Sequence, residues 1–268
     1  MISFVGAGPG AADLITLRGA ARLATADVIV WASSLVPEVL LAHARSGAVV
    51  HDSAGMTLED VLAVYAAAGP ATGIVRLHSG DPSIYGAIGE QIEWCLANER
   101  DFEVVPGVSS ISAAAAVLGR ELTVPGVAQS VILTRLPGRT AASMPPGESL
   151  AGLAAHGTTL AVFLSGARPE ELETELLQTG SGYAADTPAA VVVRATRPDE
   201  QVHLTTVGEL AAAVRATGVS RTVLVLVGDA LAGKEALARS SRSHLYAPEF
   251  AHAFRRRSAP GSTAGRPA

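Results

Sequence analysis

Short apolar runs alternate along this chain with longer alanine-rich stretches in which apolar positions recur at helical spacing. Brief runs of Val, Ile and Leu are typical of strands, and runs that are apolar throughout are typical of parallel strands covered on both faces. The first half therefore predicts an α/β fold with a mostly parallel sheet. Its predicted strands are residues 2–5, 28–31, 73–77 and 102–105, and its predicted helices are residues 16–26, 37–44, 58–68, 86–98 and 109–118.

The pattern restarts near residues 122–125, which predicts a second α/β domain. Two of its strands, 191–194 and 201–204, have the spacing of a hairpin and therefore predict a mixed sheet. The strands predicted here are residues 130–134, 159–164, 189–194, 201–205 and 222–227, and the helices are residues 150–155, 169–177 and 207–216. We expect an N-terminal domain over residues 1–121, a C-terminal domain over 122–235 and a disordered tail over 236–268.

Composition narrows the class of protein. A chain of 268 residues that is 49% hydrophobic can bury two cores of ordinary size. The chain begins with strand-like residues instead of a basic leader, and no apolar run reaches membrane-spanning length, so we expect a cytoplasmic protein without a membrane partner. Cys95 is the single cysteine and has no partners at metal-ligand spacing, which predicts a core position and neither a disulfide nor a metal site.

Charge is distributed unevenly. The segment after Glu235 carries six arginines against one glutamate, a net charge of +5, which leaves the preceding body at −10 within the chain's total of −5. An acidic body disfavours nucleic-acid binding, because phosphate contacts need clustered Lys and Arg. Lys234 is the single lysine, so anion contacts must come from arginine or backbone groups.

Three Gly/Pro-rich loops follow predicted strands, at residues 6–10, 79–82 and 105–110. Glycine permits positive φ and places no Cβ in the way, so loops of this kind bring backbone close to a small ligand. We therefore expect one built site and an enzyme. The breaker-rich segment 137–147 has no periodicity and predicts a functional loop.

A nicotinamide site is the first alternative, since Gly6, Gly8 and Ala11 satisfy the dinucleotide pattern G-x-G-x-x-A after a strand. The helix, however, is predicted to begin only at Thr16, and the residues at the end of the second strand, Trp31-Ala32-Ser33, include no acidic residue for a ribose. An NAD(P)-dependent oxidoreductase is therefore a remote alternative. A non-catalytic adaptor that depends on the arginine-rich tail is another.

Single residues near these loops allow two interpretations each. Asp81 predicts either a helix cap or a ligand contact, and His78 a packing residue or a proton acceptor. Tyr85 predicts a core residue or a ring that stacks on the ligand. Ser109 and Ser110 predict a cap for the following helix or a ligand contact.

Six motifs together identify a family. With them the chain resembles the tetrapyrrole (corrin/porphyrin) methylases over nearly all of residues 1–235, and the strings at 79–86 and 119–123 favour the branch that methylates precorrin-4. The motifs are VGAGPG at 5–10, SLVP at 34–37, HSGDPSIYGAI at 78–88, VPGVSS at 105–110, LGRELT at 118–123 and ILTR at 132–135.

The resemblance implies two α/β domains with the active site in the cleft between them, a homodimer, and S-adenosylmethionine as methyl donor. It implies methylation of carbon 11 of precorrin-4 to give precorrin-5 in cobalamin biosynthesis. Cobalt-precorrin-4 and another ring position of a related tetrapyrrole are the alternatives. Cofactor contacts carry over to Pro9, Ser79, Gly80, Asp81, Ile84, Ser109, Ser110, Leu164, Ser165, Ala190, Val227 and Gly228.

The substrate's acetate and propionate groups predict arginine forks and helix N-termini as its ligands. We expect Gly8, Pro9, Arg120, Arg135 and Arg139 to bind substrate, with Arg194 beside them. Asp81, Asp13 and Glu90 are the candidate catalytic carboxylates, which could stabilise positive charge on the ring. The chain also departs from the family pattern, for it has Ala87 where related uroporphyrinogen methylases have arginine, and Ser33 where the precorrin-4 branch is expected to have glycine. Ser165 replaces a methionine found in other branches, and Ala11 replaces an aspartate common after the first glycine loop.

Overall fold

A computed structural model describes residues 1–137, 141–234, 238, 243–253, 255 and 257–258 of the chain. The strands are β1 (Ile2–Gly6), β2 (Val28–Trp31), β3 (Val49–Asp52), β4 (Ile74–His78), β5 (Phe102–Val105), β6 (Val131–Arg135), β7 (Thr159–Phe163), β8 (Pro188–Val193), β9 (Gln201–Thr206) and β10 (Val223–Val227). The helices are α1 (Leu17–Thr25), α2 (Leu58–Ala67), α3 (Gly89–Ala97), α4 (Ser110–Leu118), α5 (Leu150–Ala154), α6 (Pro169–Leu176) and α7 (Leu210–Ala216).

The first sheet has the strand order β3-β2-β4-β1-β5, and all of its pairs are parallel. Alternate residues of β1 face two separate cores. Val5 packs on one face with Leu23 of α1, whereas Phe4 packs on the other with Tyr65 of α2 and Cys95 of α3. The predicted parallel sheet with both faces covered is confirmed, and so is the core position of Cys95.

Two features of this half differ from the sequence-based prediction. Residues 37–44 form a 3-10 helix over Glu38–His43, and the edge strand β3 was not predicted. The apolar pattern does not predict β3 because this strand contains only two apolar residues, Val49 and Val50, and both are exposed. The strand is stabilised by its pairing with β2, and this pairing cannot be recognised from the local sequence pattern.

The second sheet has the order β6-β7-β10-β8-β9. β6 pairs with β7 in parallel, and β10 pairs with β7 in antiparallel. β8 and β9 are neighbours, as the predicted hairpin requires. The predicted mixed sheet is therefore confirmed.

The chain divides into two compact units, each made of separate segments. The first unit comprises Met1–Gly119, Val191–His203 and Val214–Leu224, and the second comprises Arg120–Ala190, Leu204–Ala213 and Val225–Ala268. The domain limits expected from the sequence stay a prediction. Most of the expected tail lies outside the described residues. Among the helices described, none has the length and hydropathy needed to cross a bilayer.

Candidate active site

Three loops meet at the carboxyl edge of the first sheet, because β4, β1 and β5 are adjacent and parallel. The loops after β1 and β4 exchange backbone hydrogen bonds: Gly80 N donates to the Gly8 carbonyl over 2.8 Å, and Gly8 N donates to the Gly80 carbonyl over 3.2 Å. Both glycines have positive φ, +79° at Gly8 and +64° at Gly80. This conformation favours glycine over residues with a Cβ.

The loop after β5 completes what we term the glycine junction, formed by Gly6, Gly80 and Gly107. A Cβ on Gly107 would lie 2.1 Å from the Gly80 carbonyl oxygen and 2.7 Å from the Gly6 Cα. A Cβ on Gly6 would lie 2.5 Å from the Gly107 Cα. The three loops therefore touch backbone to backbone, a separation that only glycine allows.

Asp81 fastens two of these loops together. Its Oδ2 accepts a hydrogen bond from Gly107 N at 2.9 Å, and its Oδ1 accepts one from Ser83 N at 2.8 Å. The next helix, α3, begins at Gly89 and has Ile88 as its N-cap, so Asp81 caps no helix. Both carboxylate oxygens therefore hold the loop backbone.

Hydroxyl groups without a partner among the described residues lie next to this junction. Within the described chain, the hydroxyls of Ser79, Ser109 and Ser110 make no hydrogen bond, and Ser109 stands at the N-cap of α4 without capping it through its side chain. The nearest atom to a Cβ built on Gly80 would be Ser110 N, at 3.8 Å. The structure thus brings the predicted contacts of the first unit together, with unused donors and acceptors.

The other candidate residues of the first unit differ in exposure. Pro9 is buried within the loop after β1, and Ile84 is half-buried, with its N–H donating to the Asp81 carbonyl over 3.2 Å. Asp13 and Glu90 are both exposed, the former in a short 3-10 helix and the latter in the first turn of α3. Tyr85 is 48% exposed, so it is not a core residue.

His78 ends β4 directly before the junction. Its side chain is buried against Phe4, with ring centroids 6.2 Å apart, and its Nε2 has no partner among the residues described. Burial, together with the smaller effect of the nearby Arg76 guanidinium, lowers the pKa of His78 to about 3. The imidazole is therefore neutral at physiological pH and serves as a packing residue.

Candidates in the second unit lie at two ends of its sheet. Leu164, with φ +55° and 65% exposed, follows β7 together with the buried Ser165, whose hydroxyl donates to Val162. Val227 pairs with Leu160 near the start of β7. Since β7 and β10 are antiparallel, the structure does not bring Val227 and Gly228 to Leu164. Ala190 is fully buried within β8.

The arginines expected to bind substrate already engage the protein. Arg120 Nε donates to the Leu231 carbonyl over 3.4 Å, and Arg135 Nη2 donates to the Ser143 hydroxyl over 2.8 Å. Arg194 forms an ion pair with Asp199. Arg139 lies outside the described residues.

Sequence reasoning missed Arg197, in the turn between β8 and β9. Its Nη2 donates to the Leu35 carbonyl, and a Cβ built on Gly10 would lie 2.5 Å from its Cγ. In the same turn, Thr196 Oγ1 accepts a hydrogen bond from Ala11 N at 3.0 Å. These residues all belong to the first unit. Thr196 and Ala11 are 185 positions apart in sequence, so no local pattern could have connected them.

Known proteins resemble this chain along most of its length. A precorrin-4 C(11)-methyltransferase from Rhodococcus erythropolis is 46% identical over 87% of this chain and 92% of its own. A cobalt-precorrin-4 C(11)-methyltransferase from Methanocaldococcus jannaschii is 42% identical over 95% of this chain and 96% of its own.

Solved structures agree in fold. The X-ray structure of a cobalamin biosynthetic enzyme, cobalt precorrin-4 methyltransferase, superposes with a TM-score of 0.81 at 42% identity, covering 86% of this chain and 95% of its own. A uroporphyrin-III C-methyl transferase from Thermus thermophilus, complexed with S-adenosylhomocysteine, superposes with a TM-score of 0.70 at 28% identity over 86% of this chain and 98% of its own. The sequence profile described as Tetrapyrrole (Corrin/Porphyrin) Methylases matches residues 1–211, so this chain belongs to that family.

Proposed function

We propose that this protein is an S-adenosylmethionine-dependent methyltransferase that methylates carbon 11 of precorrin-4, giving precorrin-5, in cobalamin biosynthesis. The observation that carries the proposal is the near full-length similarity to the Rhodococcus precorrin-4 C(11)-methyltransferase, at 46% identity. The glycine junction supports it, because it offers a ligand site of backbone and hydroxyl groups at a sheet edge where α/β proteins bind ligands.

The residues present fit the methyl donor. Its adenosine and amino-acid parts need hydrogen-bond donors and acceptors and close backbone approach. The hydroxyls of Ser79, Ser109 and Ser110, which have no partner among the described residues, offer these donors and acceptors, and Gly80 offers the close backbone approach. We assign these residues, with Asp81 and Ile84, to hold the cofactor in the first unit. Leu164 and Ser165 are the second unit's proposed contribution.

The chain's own residues mainly position the reactants. When bound, S-adenosylmethionine would supply an electrophilic methyl group on a sulfonium, whose sulfur leaves as a neutral thioether and needs no proton. Asp81 fixes the loops after β4 and β5, since its two oxygens accept amide protons from both. Rigid placement of this kind is a large part of catalysis in displacement reactions. Asp13 and Glu90 remain the proposed carboxylates facing positive charge on the ring.

A second candidate substrate is cobalt-precorrin-4. It is favoured by the Methanocaldococcus relative, which is 42% identical, and by the solved cobalt precorrin-4 methyltransferase with its TM-score of 0.81. The two substrates differ by the metal in the macrocycle. We further propose that the protein works in the cytoplasm as a homodimer.

Two measurements test the proposal in sequence. Calorimetric titration with S-adenosylhomocysteine, and with NADP as control, should give micromolar binding of the former alone; binding of NADP alone would contradict the assignment. Precorrin-4 and cobalt-precorrin-4 are then offered separately with a methyl donor labelled with carbon-13. We expect one labelled methyl group on carbon 11, located by NMR, and the preferred substrate to identify the route. Label at another ring carbon would contradict the proposed position.

A further inference from the structure

Arg197 is a partly buried cation that forms no ion pair with an acidic residue of the described chain. The described chain contains four ion pairs, and none of them includes Arg197. Asp199, the nearest acidic neighbour in the turn, pairs instead with Arg194. Burial lowers the pKa of the Arg197 guanidinium, and Arg194 adds to this effect while Asp199 opposes it. A desolvated cation of this kind is costly unless an anion accompanies it.

Its donors are only partly used. Nη2 donates to the Leu35 carbonyl, Nε is buried without a partner, and Nη1 makes no hydrogen bond within the described chain. A guanidinium presents its N–H groups in a fork that matches a carboxylate. Arg197 thus keeps donors for an anion that the described residues do not supply.

The position of Arg197 is set by the loop beneath it. Its stem crosses Gly10, where a Cβ would lie 2.5 Å from the Arg197 Cγ and 3.2 Å from its Nε. Gly10 ends the loop that begins at Gly6 of the glycine junction. The hydrogen bond from Ala11 N to Thr196 Oγ1 fixes the turn from the other side. The cation is therefore held at the carboxyl edge of the first sheet, beside the proposed site.

We propose that Arg197 binds a carboxylate of the tetrapyrrole substrate. The inference rests on the proposed function, because that function supplies a ligand rich in acetate and propionate groups. It adds a substrate-binding residue from the β8–β9 turn. The arginines expected from the sequence, Arg120 and Arg135, already donate to protein oxygens. Arg197 would hold the macrocycle and leave the methyl donor's affinity untouched.

The test compares Arg197→Gln with Arg197→Lys. Removing a charge-assisted hydrogen bond to substrate should raise KM for precorrin-4 by about ten- to a hundred-fold in the glutamine variant. The lysine variant, which keeps the charge but loses the fork, should fall between it and the wild type. The dissociation constant for S-adenosylhomocysteine, measured by calorimetry, should stay within about twofold of wild type.

Two matched variants separate substrate binding from loop support. Thr196→Val removes the hydrogen bond to Ala11 but keeps the Arg197 guanidinium, and Arg221→Gln removes one exposed arginine from the same unit. Arg221→Gln should keep the wild-type KM, and Thr196→Val should raise KM less than Arg197→Gln does. The proposal is overturned if Arg197→Gln leaves KM unchanged, if it weakens S-adenosylhomocysteine equally, or if Thr196→Val raises KM as much. Failure of the proposed function looks different, since the wild type itself would then not methylate precorrin-4.

Discussion

Replacing Gly107 with alanine should disrupt the glycine junction directly. The new Cβ would stand 2.1 Å from the Gly80 carbonyl oxygen, 2.7 Å from the Gly6 Cα and 3.0 Å from the Gly6 carbonyl carbon. Ordinary contact between such atoms is about 3.5 Å, so the loops must separate by about 1 Å. All three neighbours are backbone atoms, which cannot rotate away as a side chain could.

This separation has a cost that can be measured. Overpacking of a tight contact costs about 1–3 kcal/mol, and the value here should lie at the upper end because two loops must shift together. For a chain of this size, about 3 kcal/mol corresponds to a fall in Tm of roughly 6–12 °C. A misplacement of about 1 Å near the reacting groups should also lower kcat by about a hundred-fold.

The assay pairs Gly107→Ala with Gly89→Ala. Gly89 is the first residue of α3, and a Cβ there would meet nothing within 4 Å. Alanine at that position should leave stability unchanged or raise it by about 0.4–1 kcal/mol. Urea unfolding and S-adenosylhomocysteine titration of both variants provide the comparison. If Gly107→Ala unfolds at the wild-type urea concentration and binds with wild-type affinity, the close backbone contact is not a requirement of the site.

Three further variants test other contacts. Asp81→Asn replaces an acceptor by an amide donor and should cost about 1–3 kcal/mol in unfolding free energy and weaken S-adenosylhomocysteine, whereas the exposed Glu93→Gln should change neither. His78 has a pKa of about 3 in the folded protein against 6.5 unfolded, so the unfolded chain binds more protons between these values and stability falls as pH drops through them. His78→Leu should make this loss of stability smaller. If urea titrations show that wild type and variant lose the same unfolding free energy between about pH 7 and about pH 5, the assignment is contradicted. Tyr65→Phe should lower the unfolding free energy by about 1–3 kcal/mol, because it leaves the buried Gln91 amide oxygen without its 2.7 Å hydrogen bond; an unchanged urea midpoint would refute this.

The apolar pattern predicted most of the fold because buried parallel strands carry their signal at every position. β2 and β5 have the limits that the pattern predicted, and α4 begins one residue later than expected. β3 was missed because its stability comes from pairing with β2, and an exposed edge strand leaves little apolar signal.

The candidate site was predictable to the extent that its residues sit in local motifs. The three glycine loops could be located because glycine after a strand indicates close approach. The sequence predicts for Asp81 a helix cap or a ligand contact, and neither prediction includes its hydrogen bond from Gly107 N, 26 residues away, because that bond depends on the folded arrangement of the loops. Arg197 was missed for the same reason, since its partners are Gly10 and Leu35.

The division of the chain into interleaved units has a consequence for biosynthesis. The first unit takes its last segment from Val214–Leu224, so it cannot be completed until nearly the whole chain has left the ribosome. At about 5–20 residues per second, the intervening Arg120–Ala190 alone delays the hairpin by several seconds. Throughout that interval the loop that ends at Gly10 lacks its contact with the Arg197 side chain. Truncation after Gly119 would preserve that unfinished state, which makes this chain a poor candidate for dissection into fragments.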